Sequence, residues 1–157
     1  MQKITPFLWF DGNAEEAVNL YTTLFPNSKI TSVTRNPKGA PGPEGAVLTM
    51  GFELFGQKFA ALNGGPMYKF TEAVSFVVNC ETQEEVDKYW DALLADGGKT
   101  QACGWLKDKF GLSWQITPTI LPELLAAGGK RSERVMQAMM QMIKLDIAEL
   151  KRAAEEA

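Results

Sequence analysis

The sequence predicts an α+β protein made of two βαβββ modules that form curled mixed sheets around a pocket, followed by C-terminal helices. Three observations predict this fold class. Two amphipathic helices with capping residues begin at Asn13 and Thr82, each after a short run of strand-forming residues. Each helix is followed by strand-like segments and by a hairpin that turns near a Phe-Gly pair. After Pro118 only helical patterning remains.

Length and composition are those of one globular domain. The chain has 157 residues, of which 45% are hydrophobic and 22% are charged. We therefore expect one domain over 1–157, with modules at about 1–65 and 70–118 and a helical extension over 119–157. The net charge of −3, with both signs interspersed, argues against a nucleic-acid partner.

The N-terminal residues and the two cysteines indicate a cytoplasmic protein. No apolar run approaches the roughly 20 residues that cross a membrane, so no membrane partner is expected. The opening "MQKITPFLWF" does not have the pattern of a signal peptide. Without an export signal, we interpret Cys80 and Cys103 as reduced thiols.

Histidine is absent from the chain, and this excludes several kinds of site. General acid–base catalysis by histidine and histidine-ligated metal are ruled out. Ser-His-Asp and Cys-His nucleophile systems are ruled out for the same reason. Any metal would need Asp, Glu, Gln or Cys ligands alone.

The first module begins with the strand "KITPFLWF" and the helix that follows it. Asn13 is a good N-cap, Glu16 completes a capping-box-like start, and Pro26 ends the helix. "KITSVTR" alternates as a half-buried strand, and the Pro/Gly-rich segment 36–45 is a loop. "AVLTMGFELFGQKFAALNGG" is a hairpin that turns at "FGQ".

The second module repeats this order with "EAVSFVVNC", a helix capped by Thr82 and Glu85, and the strands of "KTQACGWLKDKFGLSWQITP". Beyond it we predict a short helix at "LPELLAAGG" and one long helix over "SERVMQAMMQMIKLDIAELKRAAEEA". Methionines give the long helix a broad apolar stripe, which suits packing on the domain or on a dimer partner better than a promiscuous groove.

The two modules can be overlaid on each other. With an offset of 69 residues, Asn13 falls on Thr82 and Phe7 on Phe76. The hairpins match with an offset of 55, and the Pro/Gly loop at 36–45 supplies most of the difference. Such an internal pair indicates a duplicated fold in which each copy is a four-stranded sheet with one helix outside.

These paired modules resemble the vicinal oxygen chelate superfamily, which includes glyoxalase I, bleomycin-resistance proteins and extradiol dioxygenases. The similarity is greatest to its PhnB-like branch, often labelled demethylubiquinone methyltransferase-like. It is carried by "FLWFDGNAEEAVNLYTTLFP", "ALNGGPMYKFTEAVSFVVNCE", "CGWLKDKFGLSWQITP" and "MQAMMQMIKLDIAELKRA". The resemblance implies a pocket for a small organic molecule and a homodimer. No glycine-rich strand–turn–helix typical of a Rossmann-like methyl-donor site is present.

The resemblance also implies where a metal would be held. Metal-dependent members place one ligand on each of strands 1, 4, 5 and 8, and the overlay puts these positions at Pro6, Ala60, Ser75 and Gln115. Proline and alanine side chains carry no donor, and serine and glutamine are poor ligands. We therefore expect no family-type metal site and no other cofactor.

A metal-free pocket would use amide, hydroxyl and aromatic side chains. Each candidate also has a structural interpretation: a hydrogen-bonded relic for Gln115, core packing for the aromatics, a turn for Asn63 and an inert thiol for Cys103. The candidate ligand-binding residues are Gln115, Ser75, Trp9, Phe59, Trp105, Asn63 and Cys103.

The sequence favours a small-molecule-binding protein whose ligand is not identified. The alternative is an enzyme of lyase, isomerase or transferase type, either metal-independent or with relocated metal ligands. It would need a desolvated carboxylate such as Glu53, or an activated Cys103. No catalytic residue is assigned.

Overall fold

The chain divides after Lys69 into two units, and each contains one four-stranded mixed sheet. The structure is a computed structural model that describes residues 2–156. The elements of the first unit are β1 Phe7–Phe10, α1 Ala14–Leu24, β2 Lys29–Arg35, β3 Val47–Leu54 and β4 Gln57–Asn63. The second unit contains β5 Ser75–Cys80, α2 Gln83–Leu94, β6 Lys99–Thr100, β7 Trp105–Lys107 and β8 Ser113–Pro118, followed by α3 Ile120–Ala126, α4 Gly129–Met140 and α5 Ile147–Glu155.

The two sheets have the same topology. Their strand orders are β1-β4-β3-β2 and β5-β8-β7-β6. In each, the first strand of the module pairs in parallel with the last, and the remaining pairs are antiparallel. The predicted α+β class and the two βαβββ modules are confirmed. Among the described residues, no helix is long and apolar enough to cross a membrane.

The register between the first strands of the two modules differs from the predicted one. Leu8 and Phe10 are buried in the first unit, and Val78 and Cys80 are buried in the second, which corresponds to an offset of 70 rather than 69. The reason is the connection to the helix, which has three residues in the first unit (11–13) and two in the second (81–82). Because side chains alternate between faces, Pro6 lies on the buried face of its sheet.

The corrected register changes the symmetric partner of Ser75. With an offset of 70, Ser75 corresponds to Thr5 instead of Pro6. The predicted offset of 55 for the last strands agrees with burial, because Phe59 and Trp114 are both buried and differ by 55. The symmetric positions are therefore Thr5, Ala60, Ser75 and Gln115.

The two helices begin at the predicted caps but are capped in different ways. Thr82 accepts a hydrogen bond from the amide of Glu85 (3.2 Å), as a capping residue does. Asn13 occupies the cap position of α1 without a side-chain cap bond. The side chain of Asn63, on β4, accepts from the amide of Ala14 instead (2.9 Å).

The two hairpins also differ from each other. Phe55 and Gly56 have φ values of 51° and 79°, as a two-residue type I′ turn requires. The turn between β7 and β8 is longer and is organised by the carboxylate of Asp108, which is 3% exposed. It accepts hydrogen bonds from the amides of Phe110 and Leu112 and from the indole N–H of Trp114, at 2.9, 3.0 and 2.9 Å.

The long C-terminal helix predicted from the sequence is wrong, because the chain breaks it into α4 and α5. Asp146 starts α5 as an N-cap and accepts from the amide of Glu149 (3.0 Å). The break places the side chain of Leu145 in an apolar cluster, which a continuous straight helix would not form. That cluster contains Leu121, Leu124, Val135, Leu145, Leu150 and Ala154.

Backbone and side-chain contacts hold these helices to the second module. The amides of Cys103 and Gly104 donate to the carbonyls of Met142 (2.9 Å) and Ile143 (2.8 Å). The side chain of Gln83, at the start of α2, donates to the carbonyl of Leu145 (3.1 Å) and accepts from the amide of Ile147 (2.8 Å). The segment between α4 and α5 is therefore bonded both to the turn before β7 and to the start of α2.

Candidate ligand-binding face

The second sheet has a face opposite α2, here called the distal face, on which two rows of side chains cross the strands. In one row Val77, Gln115 and Trp105 are register partners on β5, β8 and β7. In the next row the partners are Ser75, Ser113 and Lys107. Register partners lie on the same face of a sheet. Ser113 and Gln115 are two residues apart on β8, so the two rows are neighbours on this face. The structure therefore brings three of the predicted site residues together on this face: Gln115, Ser75 and Trp105.

Gln115 and Ser75 form the polar centre of the distal face. The side-chain amide of Gln115 donates to the hydroxyl of Ser75 (2.8 Å), and both residues are partly buried. This bond leaves the amide oxygen of Gln115 as an acceptor and the hydroxyl hydrogen of Ser75 as a donor. The pair can orient a polar ligand in two directions at once.

Ser113 also lies on the distal face and was not among the residues predicted from the sequence. It is completely buried, and its hydroxyl has no hydrogen-bond partner among residues 2–156. Buried polar groups are hydrogen-bonded in the great majority of cases, so an unpartnered one needs an explanation. The signal in the sequence was the alternation of "SWQ", which places Ser113 on the same face as Gln115.

Lys107 supplies a positive charge to the distal face. Its ammonium group is ion-paired with Glu72, which lies just before β5. This hydrogen bond and ion pair with Lys107 lower the pKa of the Glu72 carboxyl. The side chain of Glu72 is 52% exposed and that of Lys107 is 30% exposed, so solvent screens the pair.

The two cysteines have different surroundings. Cys80 is buried on β5, and burial, with a smaller contribution from Glu85, raises its pKa to about 12, which keeps the thiol protonated. Cys103 is partly buried at the turn that precedes Trp105, where its φ of 61° is unusual for a residue with a side chain. Cys103 is two residues before Trp105 in sequence, and its amide donates to the carbonyl of Met142.

Of the candidates in the first unit, Trp9 and Phe59 have packing partners that explain them. The indole N–H of Trp9 donates to the carbonyl of Gly65 (2.9 Å), and its ring meets Tyr68 edge-on, with centroids 4.8 Å apart. Phe59 is 8% exposed and stacks on Phe52. The sequence placed Phe59 in a pocket wall, but alternation along β4 puts it on the face that packs against α1.

Glu53, the candidate carboxylate of the enzyme alternative, lies on β3 in the first unit. It pairs with Lys29 on the neighbouring strand at 3.8 Å, and the lysine side chain is 70% exposed. This is the geometry of a surface ion pair between adjacent strands.

Asn63 is engaged in holding the first unit together. Its side-chain oxygen caps α1 at Ala14, and its side-chain nitrogen donates to the carbonyl of Val47 (3.0 Å). Both ends of the amide are therefore occupied by backbone groups, which is the arrangement expected of a structural asparagine.

Replacing Asn63 by alanine is expected to lower the free energy of unfolding by about 1–2 kcal/mol, because a helix cap and a strand contact are lost together. Asn63→Asp keeps the acceptor for Ala14 but turns a carboxylate oxygen toward the Val47 carbonyl, so it should still lose part of the stability that the alanine variant loses. Urea unfolding followed by circular dichroism measures both. An alanine variant as stable as the unmodified protein would contradict the structural role.

The Pro/Gly loop of the first unit closes one side of a groove with a volume of about 720 Å³. The loop was predicted from the sequence, but only as extra length between two strands. The groove carries the carboxylates Asp11 and Glu15 near the start of α1, and its other walls come from strand ends. The residues that line it include Pro41, Pro43, Val47, Leu62 and Gly64.

The symmetric positions of the two modules do not fit a metal ion. Ala60 offers no donor atom, and the corrected partner Thr5 offers a neutral hydroxyl, which is a poor ligand. Ser75 and Gln115 bond to each other. Within the part of the chain that the structure describes, no three His, Cys, Asp or Glu side chains are grouped so that they would hold a metal.

Comparisons with known proteins agree with this architecture. A solved structure, the PhnB protein of Bacillus cereus, is 42% identical, with a TM-score of 0.70 over 75% of this chain and 100% of its own. A Pseudomonas aeruginosa protein is 19% identical, with a TM-score of 0.61 over 75% of this chain and 98% of its own. The fosfomycin resistance protein FosX of Listeria monocytogenes is 14% identical, with a TM-score of 0.56 over 78% of this chain and 94% of its own. These last two show the fold alone.

A family model gives the assignment. The search of curated proteins found no match. The model described as 3-demethylubiquinone-9 3-methyltransferase matches residues 2–117, which spans β1 to β8 except for the last residue of β8 and stops before α3. The chain therefore belongs to the 3-demethylubiquinone-9 3-methyltransferase family, the PhnB-like branch of the vicinal oxygen chelate superfamily.

Proposed function

We propose that this protein binds a small organic molecule on the distal face of its second sheet, without a family-type metal ion. The observation that carries the proposal is the hydrogen-bonded pair of Gln115 and Ser75, which lies beside Trp105 on a sheet face. A few convergent polar groups next to an aromatic side chain are typical of ligand sites. The proposal includes a homodimer in the cytoplasm.

The chemistry of the face supports binding more directly than catalysis. Gln115 and Ser75 do not titrate near neutral pH, and the Lys107 ammonium is paired with a carboxylate. Such groups orient and hold a ligand without transferring a proton to it. The family description names a methyl transfer, but a shared fold does not determine the chemistry.

A fragment screen with the full chain tests the proposal. We expect a subset of small neutral aromatic amides and alcohols to shift the NMR signals of the Gln115 side-chain amide and the Trp105 indole. Gln115→Ala should weaken these compounds about tenfold, the effect of one to two lost hydrogen bonds. The matched control is Gln137→Ala on α4, which is exposed and should leave affinity unchanged.

Two results would contradict the proposal. One is that no fragment binds, and the other is that fragments bind with equal affinity to the protein and to Gln115→Ala. Light scattering on the same sample measures whether the chain is a dimer.

A further inference from the structure

Three side chains of the distal face form a row of hydrogen-bond donors across the sheet. The row consists of Ser75 on β5, Ser113 on β8 and Lys107 on β7, and is called the donor row below. Ser113 is its centre, because it is the register partner of both of the others. Neighbouring strands are about 4.8 Å apart, so the three groups span about 10 Å.

Each member of the donor row has hydrogen-bonding capacity to give. Ser75 accepts from Gln115, which leaves its own hydroxyl hydrogen available. Ser113 makes no hydrogen bond to any described residue, although it is completely buried. Lys107 has three N–H donors, and its ammonium group is ion-paired with Glu72. The row thus presents two hydroxyl donors and the Lys107 ammonium group, whose charge is offset by the Glu72 carboxylate.

The unpartnered hydroxyl of Ser113 indicates that an acceptor belongs in this row. A buried hydroxyl without a partner is unfavourable, and alanine would fill the same position without that cost. A ligand oxygen that accepts from Ser113 would remove the cost. Because the hydroxyl is enclosed, such an oxygen reaches it only when a neighbouring side chain moves aside.

The ion pair with Glu72 shows that Lys107 of the donor row can hold a carboxylate. The side chain of Glu72 is half exposed on the segment before β5. An exposed side chain of this kind can leave its partner at little cost. A ligand anion could replace the Glu72 carboxylate on Lys107 and reach Ser75 and Ser113 as it does so.

We infer that the donor row binds the anionic oxygen atoms of a small planar acid, in exchange for the carboxylate of Glu72. The body of the acid contacts Gln115 and Trp105 in the next row, about 7 Å along the strands, a distance similar to the length of a benzoate ion. This inference rests on the proposed function and adds the charge and shape of its ligand.

Benzoate and benzamide are the probes, because they have nearly the same shape and differ in charge. Phenylphosphonate is a third probe that tells a carboxylate preference from a general preference for anions. Titrations of the full chain are followed by NMR at the amide of Ser113 and the indole of Trp105. Benzoate should bind at least about tenfold more tightly than benzamide, because the anion accepts charge-assisted hydrogen bonds.

Three variants separate the roles in the row. Ser113→Ala should weaken the anion about fivefold, the effect of one hydrogen bond, with a melting temperature that is unchanged or higher. Glu72→Gln removes the competing carboxylate and should tighten anion binding about threefold. Lys107→Met should abolish the preference for benzoate over benzamide. Thr117→Val, on the same face but outside the row, is the matched control and should change nothing.

The outcomes distinguish this inference from the proposed function. Equal affinity for benzoate and benzamide, or unchanged anion affinity in both Ser113→Ala and Glu72→Gln, would overturn the inference. If neutral fragments still bind at Gln115, the proposed function stands. If neither the probes nor any fragment binds, both are rejected. A Ser113→Ala variant that loses stability would assign the hydroxyl a structural role and overturn the inference as well.

Discussion

Replacing Asp108 by alanine is expected to lower the free energy of unfolding by about 3–5 kcal/mol, the loss seen when one partner of a buried charged network is removed. The buried carboxylate is the common acceptor for two backbone amides and the indole of Trp114. Without it, three donors are left inside the turn between β7 and β8. Because this turn joins the strands of Lys107 and Ser113, the donor row should be disturbed too. Urea unfolding measures the stability, and the NMR titration measures the row.

Asp108→Asn and Asp91→Ala are the controls for this prediction. Asparagine keeps one oxygen for the two backbone amides but turns an NH₂ group toward the indole N–H, so about half of the loss is expected. Asp91 is exposed on α2, and its replacement should change stability by less than about 0.5 kcal/mol. An Asp108→Ala variant within about 1 kcal/mol of the unmodified protein would show that the network does not stabilise the turn.

Gly104→Ala is expected to cost about 2–4 kcal/mol, because it combines backbone strain with overpacking. The φ of Gly104 is +84°, and a Cβ there would lie 2.8 Å from Cδ1 of Leu145 and 3.1 Å from the carbonyl oxygen of Ile116. Leu145 belongs to the apolar cluster of the C-terminal helices, so the variant should loosen them from β7. Hydrogen exchange should then be faster at the Gly104 amide, which donates to Ile143.

Gly111→Ala separates the two causes. Gly111 has a similar φ of +88°, but a Cβ there meets nothing within 4 Å. Its replacement should cost only about 1 kcal/mol, the strain of alanine in a left-handed conformation. The difference between the two variants measures the contacts with Leu145 and with the Ile116 carbonyl. Equal losses would show that these contacts are unimportant.

The C-terminal helices lie beyond the family match, which ends at residue 117, and the 42% identical Bacillus cereus structure is covered completely by 75% of this chain. They are nevertheless attached through residues of the shared module, including Gln83 and Gly104. Their docking therefore depends on contacts with the start of α2 and with the turn before β7. Such contacts join segments that are distant in the chain, so local sequence patterns do not predict them.

The candidate site could be predicted in part. Gln115 and Ser75 were placed by the family resemblance together with the internal repeat, and Trp105 as an aromatic on a strand; the structure puts all three on one face. Phe59 was predicted to line the pocket, because an aromatic residue on a strand suits either a pocket or a core. Only its packing against Phe52 distinguishes the two. Ser113 was missed because a serine in a strand is unremarkable until its burial and its missing partner are known.

The sequence by itself determined the two modules, the starts of their helices and the family, because these depend on periodicity, capping residues and motifs read along the chain. The tertiary structure decided the register between the modules, the break at Asp146 and the hydrogen bonds of Asp108, Asn63 and Ser113. The physical reason is the two-residue period of a strand. A connection one residue shorter between β5 and α2 moves the overlay to the opposite face, and only the packed core shows which face is buried.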